Sequence, residues 1–190
     1  KKIAENLIET FHLAGKESVN LYSKGLKIQT KEDNSPVSNG DLKVDSIISN
    51  KIRELTPNIP IISEETVNLK VKNKSNIFWL IDPIDGTKEY IAGKDEYTLN
   101  AALIINKIPN IGLVGVPKKK RLFYSYGNGN SYLIENEELK KIDCSKETSR
   151  KNILALSSDK TPSEDIMKIL KEYNVSKVTK MASSYKFCVI

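Results

Sequence analysis

The sequence predicts a layered α+β fold, with two helices on one face of a mostly antiparallel sheet, continued by the opening of an α/β unit. Three observations carry this expectation. Apolar residues recur at three-and-four spacing over residues 3–23 and again from Asp41 to Leu55. Six short apolar runs bounded by turn residues fill positions 59–134. Beyond residue 151 the pattern changes to strand, helix, strand.

In the first segment Ile3, Leu7, Phe11, Ala14, Ser18 and Tyr22 share one stripe with Ile8 and Val19 beside it, the signature of a core-facing helix. His12, the sole histidine, follows Phe11 and has no acid, base or metal partner to be read from that position, so it is taken as a bystander. A short strand is expected at Leu26–Thr30, and the polar run Lys31–Pro36 reads as a loop. Val44, Ile47, Ile48, Ile52 and Leu55 mark a second helix that Pro57 stops, which puts Asp41 in its first turn.

Strands are expected at Ile59–Ser63, Ile77–Asp82, Leu99–Asn106, Ile111–Val116, Arg121–Ser125 and Ser131–Ile134. The short connections Lys107–Asn110 and Pro117–Lys120 suggest hairpins. The polar stretch Asp143–Lys151 marks a boundary between an N-terminal domain, 1–148, and the first part of a C-terminal α/β domain, 149–190. There Asn152–Ser157 and Val175–Thr179 read as strands around a helix, Ser163–Tyr173, entered through Thr161-Pro162. The apolar segment Ser183–Ile190 has neither cap nor breaker, so the second unit reads as incomplete.

With 39% hydrophobic and 28% charged residues in 190, the chain can bury a core and carries no disorder signature. No apolar run reaches the roughly 18 residues of a membrane span, and the opening Lys1–Asn6 passes directly into an amphipathic pattern rather than a leader, so a cytoplasmic protein is expected. Cys144 and Cys188 lack paired spacing and read as reduced structural thiols. The net charge of +6 favours some anionic partner, but the lysines are scattered, and Lys118–Arg121 reads as a solvated hairpin turn.

The chemistry concentrates in Ile81-Asp82-Pro83-Ile84-Asp85-Gly86-Thr87. A buried strand ends there in two carboxylates. Packed together they repel and lose hydration, and a divalent cation removes both penalties. Oxygen-only ligands select a hard ion, Mg²⁺ first. Pro83 fixes the backbone so that the Ile84 carbonyl can turn inward, and Gly86 lets the chain approach an anion with its amides. The bare residues equally fit an Asp-Pro/Asp-Gly turn whose carboxylates cap local amides. A second acidic pair, Glu64-Glu65, ends another apolar strand. If the two strands are neighbours, Glu64 joins Asp82 and Asp85; otherwise the pair is an exposed loop feature.

Taken in order, Asp33-Asn34-Ser35-Pro36-Val37-Ser38, Asp41, Ser63-Glu64-Glu65 and Trp79-Leu80-Ile81-Asp82-Pro83-Ile84-Asp85-Gly86-Thr87-Lys88-Glu89-Tyr90 strongly resemble the inositol monophosphatase superfamily. Lys88-Glu89-Tyr90, Glu96–Ile104 and Ser183–Cys188 bring the likeness closest to its bacterial 3′(2′),5′-bisphosphate nucleotidases of the CysQ type. The resemblance implies an αβαβα sugar-phosphatase-like fold. It implies that Glu64, Asp82, Asp85 and the Ile84 carbonyl hold two or three Mg²⁺ ions, with Glu65 behind them or near a weaker third ion. Asp41 and the Thr87 hydroxyl would position and deprotonate the attacking water. Glu64, Ile84, Asp85, Gly86 and Thr87 would face the phosphate, which the Gly86 and Thr87 amides hold. Ser184 and Lys186 would meet the rest of the substrate, although Ser183-Ser184 before an apolar run is also a helix-start signal.

The implied reaction is Mg²⁺-dependent hydrolysis of 3′-phosphoadenosine 5′-phosphate to AMP and phosphate. An inositol monophosphatase or a fructose-1,6-bisphosphatase-like sugar phosphatase shares the same centre. A non-enzymatic scaffold or basic nucleic-acid binder is the remaining class, which clustered carboxylates disfavour, since they repel a nucleic-acid backbone. The expected partner is therefore a phosphorylated small molecule, not nucleic acid. No integral membrane segment is expected, peripheral association at the inner face stays compatible, and oligomeric state is left open. The family carries one more aspartate, in a Trp-Asp-x-Ala-Ala-Gly-like motif that this sequence does not reach by Ile190. The resemblance therefore implies a truncated chain that binds metal less tightly and, as an isolated 190-residue product, has little activity.

Overall fold

The computed structural model describes residues 1–66, 75–143, 153–158 and 163–189. Helix α1 (Lys2–Lys24) buries Leu7, Phe11, Ala14 and Ser18 of the expected stripe, with Ala4 and Gly15 beside them and Ile3 and Tyr22 only partly buried, and Gly25 ends it with φ 93°. Strands β1 (Ile28–Thr30) and β2 (Pro36–Ser38) form a small antiparallel hairpin. Helix α2 (Asn39–Leu55) buries Asp41, Val44, Asp45, Ile48, Ser49 and Ile52.

The main sheet has seven strands in chain order: β3 (Ile61–Ser63), β4 (Ile77–Asp85), β5 (Thr98–Ile105), β6 (Ile108–Val116), β7 (Arg121–Tyr126), β8 (Ser131–Glu135) and β9 (Glu138–Lys141). Only β3 and β4 run parallel; the other neighbours are antiparallel. The five-residue helix α3 (Thr87–Ile91) follows β4 directly. A separate parallel pair, β10 (Leu154–Ser157) and β11 (Lys177–Lys180), is joined through α4 (Glu164–Glu172), the expected strand-helix-strand unit. The one-turn helix α5 (Tyr185–Cys188) closes the described chain.

Alternation along the strands divides the interior in two. Leu122 and Tyr124 of β7 join Trp79, Ile81, Leu99, Ala101 and Leu103 in one cluster with the buried stripes of α1 and α2. Phe123 points the other way, and with Val116 it packs against Tyr185, Met181 and Cys188. The sheet is thus covered by two helices on one face and by the 181–188 segment on the other. Among the described residues Cys188 has no disulfide partner, and burial pushes its thiol up to about 11.

Polar ties hold the layers in register. Trp79 Nε1 donates to Thr56 Oγ1 at 3.0 Å, tying β4 to the end of α2. Tyr90 Oη donates to the Ser18 carbonyl at 2.6 Å, and the Tyr97 hydroxyl meets the Ser18 hydroxyl at 2.8 Å, so α1 is anchored to α3 itself and to the segment just after it.

Several elements differ from expectation for local reasons. Pro36 opens a strand rather than closing a loop, because residues 36–38 pair with 28–30 across a tight turn with Asn34 at φ 66°. Strand β4 runs three residues past Asp82, through Pro83. Helix α3 is too short to display a period. β9 is exposed along its length and carries Lys140 and Lys141, so it offers no apolar alternation; such charges suit an edge strand. Cys144, the Thr161-Pro162 helix entry and most of the expected boundary stretch lie outside the described residues.

Gly40 tests the packing that supports the site. A Cβ there would lie 2.5 Å from Tyr90 Oη and 2.6 Å from its Cε1, and Tyr90 is held by Ser18. Gly40→Ala should destabilise the fold by about 1–3 kcal/mol through overpacking. Thermal unfolding should show Tm lowered by roughly 2–4 °C per kcal/mol; an unchanged Tm would mean that Tyr90 can be displaced freely.

Candidate metal centre

The carboxylates converge because of one irregularity in β4. Residues 82 and 85 are three apart, which in a regular strand places them on opposite faces. Asp82 is paired with Asn100 and Asp85 with Thr98, partners only two apart, so β4 gains one residue in a bulge between them. Pro83 sits in this bulge, where its missing N–H breaks no regular ladder bond. The extra residue returns Asp85 to the face that Asp82 occupies.

Parallel pairing brings Glu64 to the same end. Ser63 lies beside Ile81, and the Glu64 N–H donates to the Ile81 carbonyl at 3.0 Å. Asp82 then feels its neighbours. Burial first, then the charges of Glu64 and Asp85, close contact with Glu64 and the charge of Asp41 push its carboxyl up to about 8. Its Oδ1 is buried without a hydrogen-bond partner. A lone carboxylate oxygen among three acids suits a cation ligand and is otherwise a penalty.

Asp41 is held from below. Ser38 caps α2, and both its N–H (2.8 Å) and its hydroxyl (2.6 Å) donate to Asp41 Oδ2, while Ser38 Oγ accepts from the Gly40 N–H at 3.1 Å. Asp41 Oδ1 is left for Thr87, whose Oγ1 lies 3.1 Å from it and 3.1 Å from the Ile84 carbonyl. Gly86, at φ 90°, makes the turn that carries the chain from β4 into α3.

Two groups not foreseen from the sequence complete the surroundings. Lys31 Nζ bridges Glu64 Oε1 at 3.0 Å and Glu65 Oε1 at 2.9 Å. Burial alone would lower its ammonium pKa, but hydrogen bonds to Glu65 and Glu64 outweigh that and raise it. Glu65 is also raised, by burial first, because Lys31 only partly offsets desolvation and the nearby Asp41 and Glu64 charges. Asp45, one turn after Asp41, is buried and accepts from Ser63 Oγ at 2.5 Å, fixing the residue before Glu64. The spacing of Asp45 from Asp41 was a readable signal; nothing in the sequence linked Lys31 to Glu64 across 33 positions.

Glu64 thus faces Lys31, and Asp85 Oδ2 accepts the Ser184 N–H at 2.5 Å. Accordingly, no group of three potential ligand side chains among the described residues stands ready-assembled as a metal cage. Asp82, with its unpartnered oxygen, is the point around which the others would close. The structure brings Asp41, Glu64, Asp82, Ile84, Asp85, Gly86 and Thr87 together. Ser184 also reaches them, with its hydroxyl 2.7 Å from Asn100 Oδ1 and 2.8 Å from Thr98 Oγ1. Lys186 Nζ instead donates to the Ser183 carbonyl at 2.7 Å and lies over the Phe187 ring. The basic turn is less solvated than expected: Lys118 donates to the Gly93 carbonyl at 2.6 Å, and Arg121 is bound to Glu135 and Tyr185.

Helices and a mixed sheet with acidic side chains at a bulged strand end make this a layered αβ fold, and its likeness to a solved inositol monophosphatase-family structure gives it the sugar-phosphatase-like class. Residues 2–190 match the model of the inositol monophosphatase family. The chain belongs to that family. It is 30% identical over 194 residues to the 3′(2′),5′-bisphosphate nucleotidase CysQ of Buchnera aphidicola, covering 100% of this chain and 72% of that protein. It is 31% identical over 189 residues to the protein of the same name from Salmonella typhimurium, covering 98% and 75%. Among solved structures it resembles CysQ from Bacteroides thetaiotaomicron, a bacterial member of the family. The TM-score there is 0.77 at 25% identity, over 98% of this chain and 75% of that one.

Because the Asp82 carboxyl is raised in the fold, its ionisation costs stability that is absent at low pH and grows as pH rises toward 8. Asp82→Asn should therefore stabilise the protein in EDTA at pH 8, by at least about 1 kcal/mol or roughly 2–4 °C in Tm. At pH 4 the two proteins should be nearly equal. A variant that is less stable than the parent at pH 8 would show that the carboxylate is already compensated.

Proposed function

We propose that this chain carries the hydrolytic centre of a Mg²⁺-dependent phosphomonoesterase whose substrate is 3′-phosphoadenosine 5′-phosphate, cleaved to AMP and phosphate. The observation that carries the proposal is the buried, unpartnered Asp82 Oδ1 among Glu64, Asp85 and Asp41. The bisphosphate nucleotidase names of the two relatives support the substrate.

Glu64, Asp82, Asp85 and the Ile84 carbonyl are the proposed Mg²⁺ ligands, two or three ions in all, an oxygen-only set suited to a hard cation. Bound there, Mg²⁺ would supply charge neutralisation for the phosphoryl oxygens and a lowered pKa for the attacking water. The protein's own part is to place that water and take its proton. Thr87 Oγ1 donates toward Asp41 Oδ1, so its lone pairs accept from the water, and the proton passes along the same line to Asp41. Ser38 locks Oδ2 of Asp41, which keeps Oδ1 aimed at Thr87. The Gly86 and Thr87 amides are the proposed phosphate donors, exposed by the left-handed turn at Gly86. Ser184 and Lys186 are assigned to the rest of the substrate, with Lys186 the proposed partner of its second phosphate.

In this reading residues 1–148 and 149–190 belong to two domains that meet at the centre. The described part has no helix long and apolar enough to cross a membrane, and the cytoplasm is the proposed location.

The test uses the product of the intact gene. Phosphate release from 3′-phosphoadenosine 5′-phosphate, inositol 1-phosphate and fructose 1,6-bisphosphate is measured side by side with Mg²⁺ and with EDTA. Release should be fastest from the nucleotide and abolished by EDTA. Asp41→Asn should lower kcat by about 10²–10⁴-fold as its proton acceptor is lost, with much smaller change in KM. Preference for inositol 1-phosphate would overturn the substrate, and an unimpaired Asp41→Asn enzyme would overturn the proton path.

A further inference from the structure

The segment that covers the centre is held in an unfavourable backbone by contacts on three sides. Ser183 has φ 56°, a left-handed conformation that a serine adopts only when its surroundings impose it. On one side Ser183 Oγ donates to the Glu96 carbonyl, and the Ala182 N–H donates to Glu96 Oε2 at 3.0 Å. In the middle the Ser184 N–H donates to Asp85, and the Ser184 hydroxyl meets Asn100 and Thr98.

The third side lies away from the carboxylates. Tyr185 is 4% exposed, with its ring against Phe123 and Val116 on the far face of the sheet. Its hydroxyl accepts from Arg121 Nη1 at 2.5 Å. Arg121 is itself fixed, since its Nε and Nη2 both lie 2.5 Å from Glu135 Oε1 across the β7–β8 pair. A guanidinium held in this fork by a neighbouring strand has little freedom left, so it aims one N–H at a fixed point. That point is the phenol of Tyr185, the residue next to Ser184.

We propose that Arg121, aimed by Glu135, is a positioning residue: through the Tyr185 hydroxyl it holds the Ser183–Ser184 turn in place, so that the Ser184 amide stays on Asp85. The inference rests on the proposed function for its catalytic consequence. The positional effect itself is independent of it. Arg121 belongs to the basic run that the sequence reads as a solvated turn, and its effect on the centre passes through Tyr185 and Ser184 without contact with substrate. Asp85 gains from the amide a fixed orientation for one oxygen, leaving the other for the proposed cation. Lys186, one residue beyond Tyr185, is carried by the same turn.

Tyr185→Phe removes the phenol oxygen and keeps the ring in its apolar site, and Arg121→Met removes the fork. In the intact enzyme each should raise KM for 3′-phosphoadenosine 5′-phosphate and the Mg²⁺ midpoint by about tenfold, the equivalent of roughly 1.4 kcal/mol for one charge-assisted hydrogen bond. At saturation kcat should change by less than about twofold, since the proton path through Thr87 is untouched. The double variant should be no worse than the worse single one, because both cut the same link.

Amide hydrogen exchange supplies a readout free of activity. Residues 182–186 should exchange about tenfold faster in either variant, while β4 and β5 keep their protection. Unchanged exchange there, or additive losses in the double variant, would overturn the proposal. If the parent enzyme hydrolyses none of the three phosphate esters but exchange rises as stated, the functional reading fails and the positioning role stands.

Discussion

Four carboxylates drawn together at one end of a buried strand govern this structure. Asp82, Asp85, Glu64 and Asp41 arrive from three elements, and the fold brings them together against their mutual repulsion. The cost is visible in the arrangement itself. Glu64 leans on Lys31, Asp85 on an amide, Asp41 on a helix cap, and Asp82 keeps one buried oxygen without a partner. Each of the first three has a compensating neighbour, so the unmet demand falls on a single atom. A fold selected for stability alone would fill that position with an apolar residue. Retaining the carboxylate makes sense where a cation completes it.

The supports around the centre come from the helical layer. Asp41 is aimed by Ser38, Asp45 fixes Ser63 beside Glu64, and Ser18 anchors Tyr90 in α3 and Tyr97 just after it. None of these supports needs to touch a substrate. They convert the packing of α1 and α2 into angular precision for the acids, which matters because a displacement of about 1 Å at a reacting group can cost roughly 10²-fold in rate.

How much of this was legible depends on the range over which each signal acts. Both long helices showed their period, the strands of the main sheet other than β9 showed their apolar runs, and Asp82-Pro83-Ile84-Asp85-Gly86-Thr87 announced a charged strand end. The meeting of Glu64 with Asp82 was conditional on strand order, which periodicity does not encode, and the parallel β3–β4 pairing supplies it. The bulge was hidden because Pro83 reads as a strand end, although it is the device that puts Asp85 on the same face as Asp82. Lys31, Asp45 and Arg121 were missed for a different reason. Lys31 and Arg121 look like ordinary surface cations and Asp45 like one more helix acid, and only tertiary contacts over 33, 18 and 64 positions reveal their partners.

The centre and its covering segment also differ in how they are held. The carboxylates are placed by regular elements: a helix N-terminus, a parallel pair and a bulge whose register is set by a long antiparallel ladder. The Ser183–Ser184 turn has no such frame. It keeps a left-handed serine only because Glu96, Asp85 and Arg121 hold it from three directions. Losing any one contact releases strain that the other two must then resist, so this turn is the part of the centre most sensitive to distant substitution. The acids are therefore set by the sheet and a helix cap, whereas the turn beside them rests on tethers that can change singly.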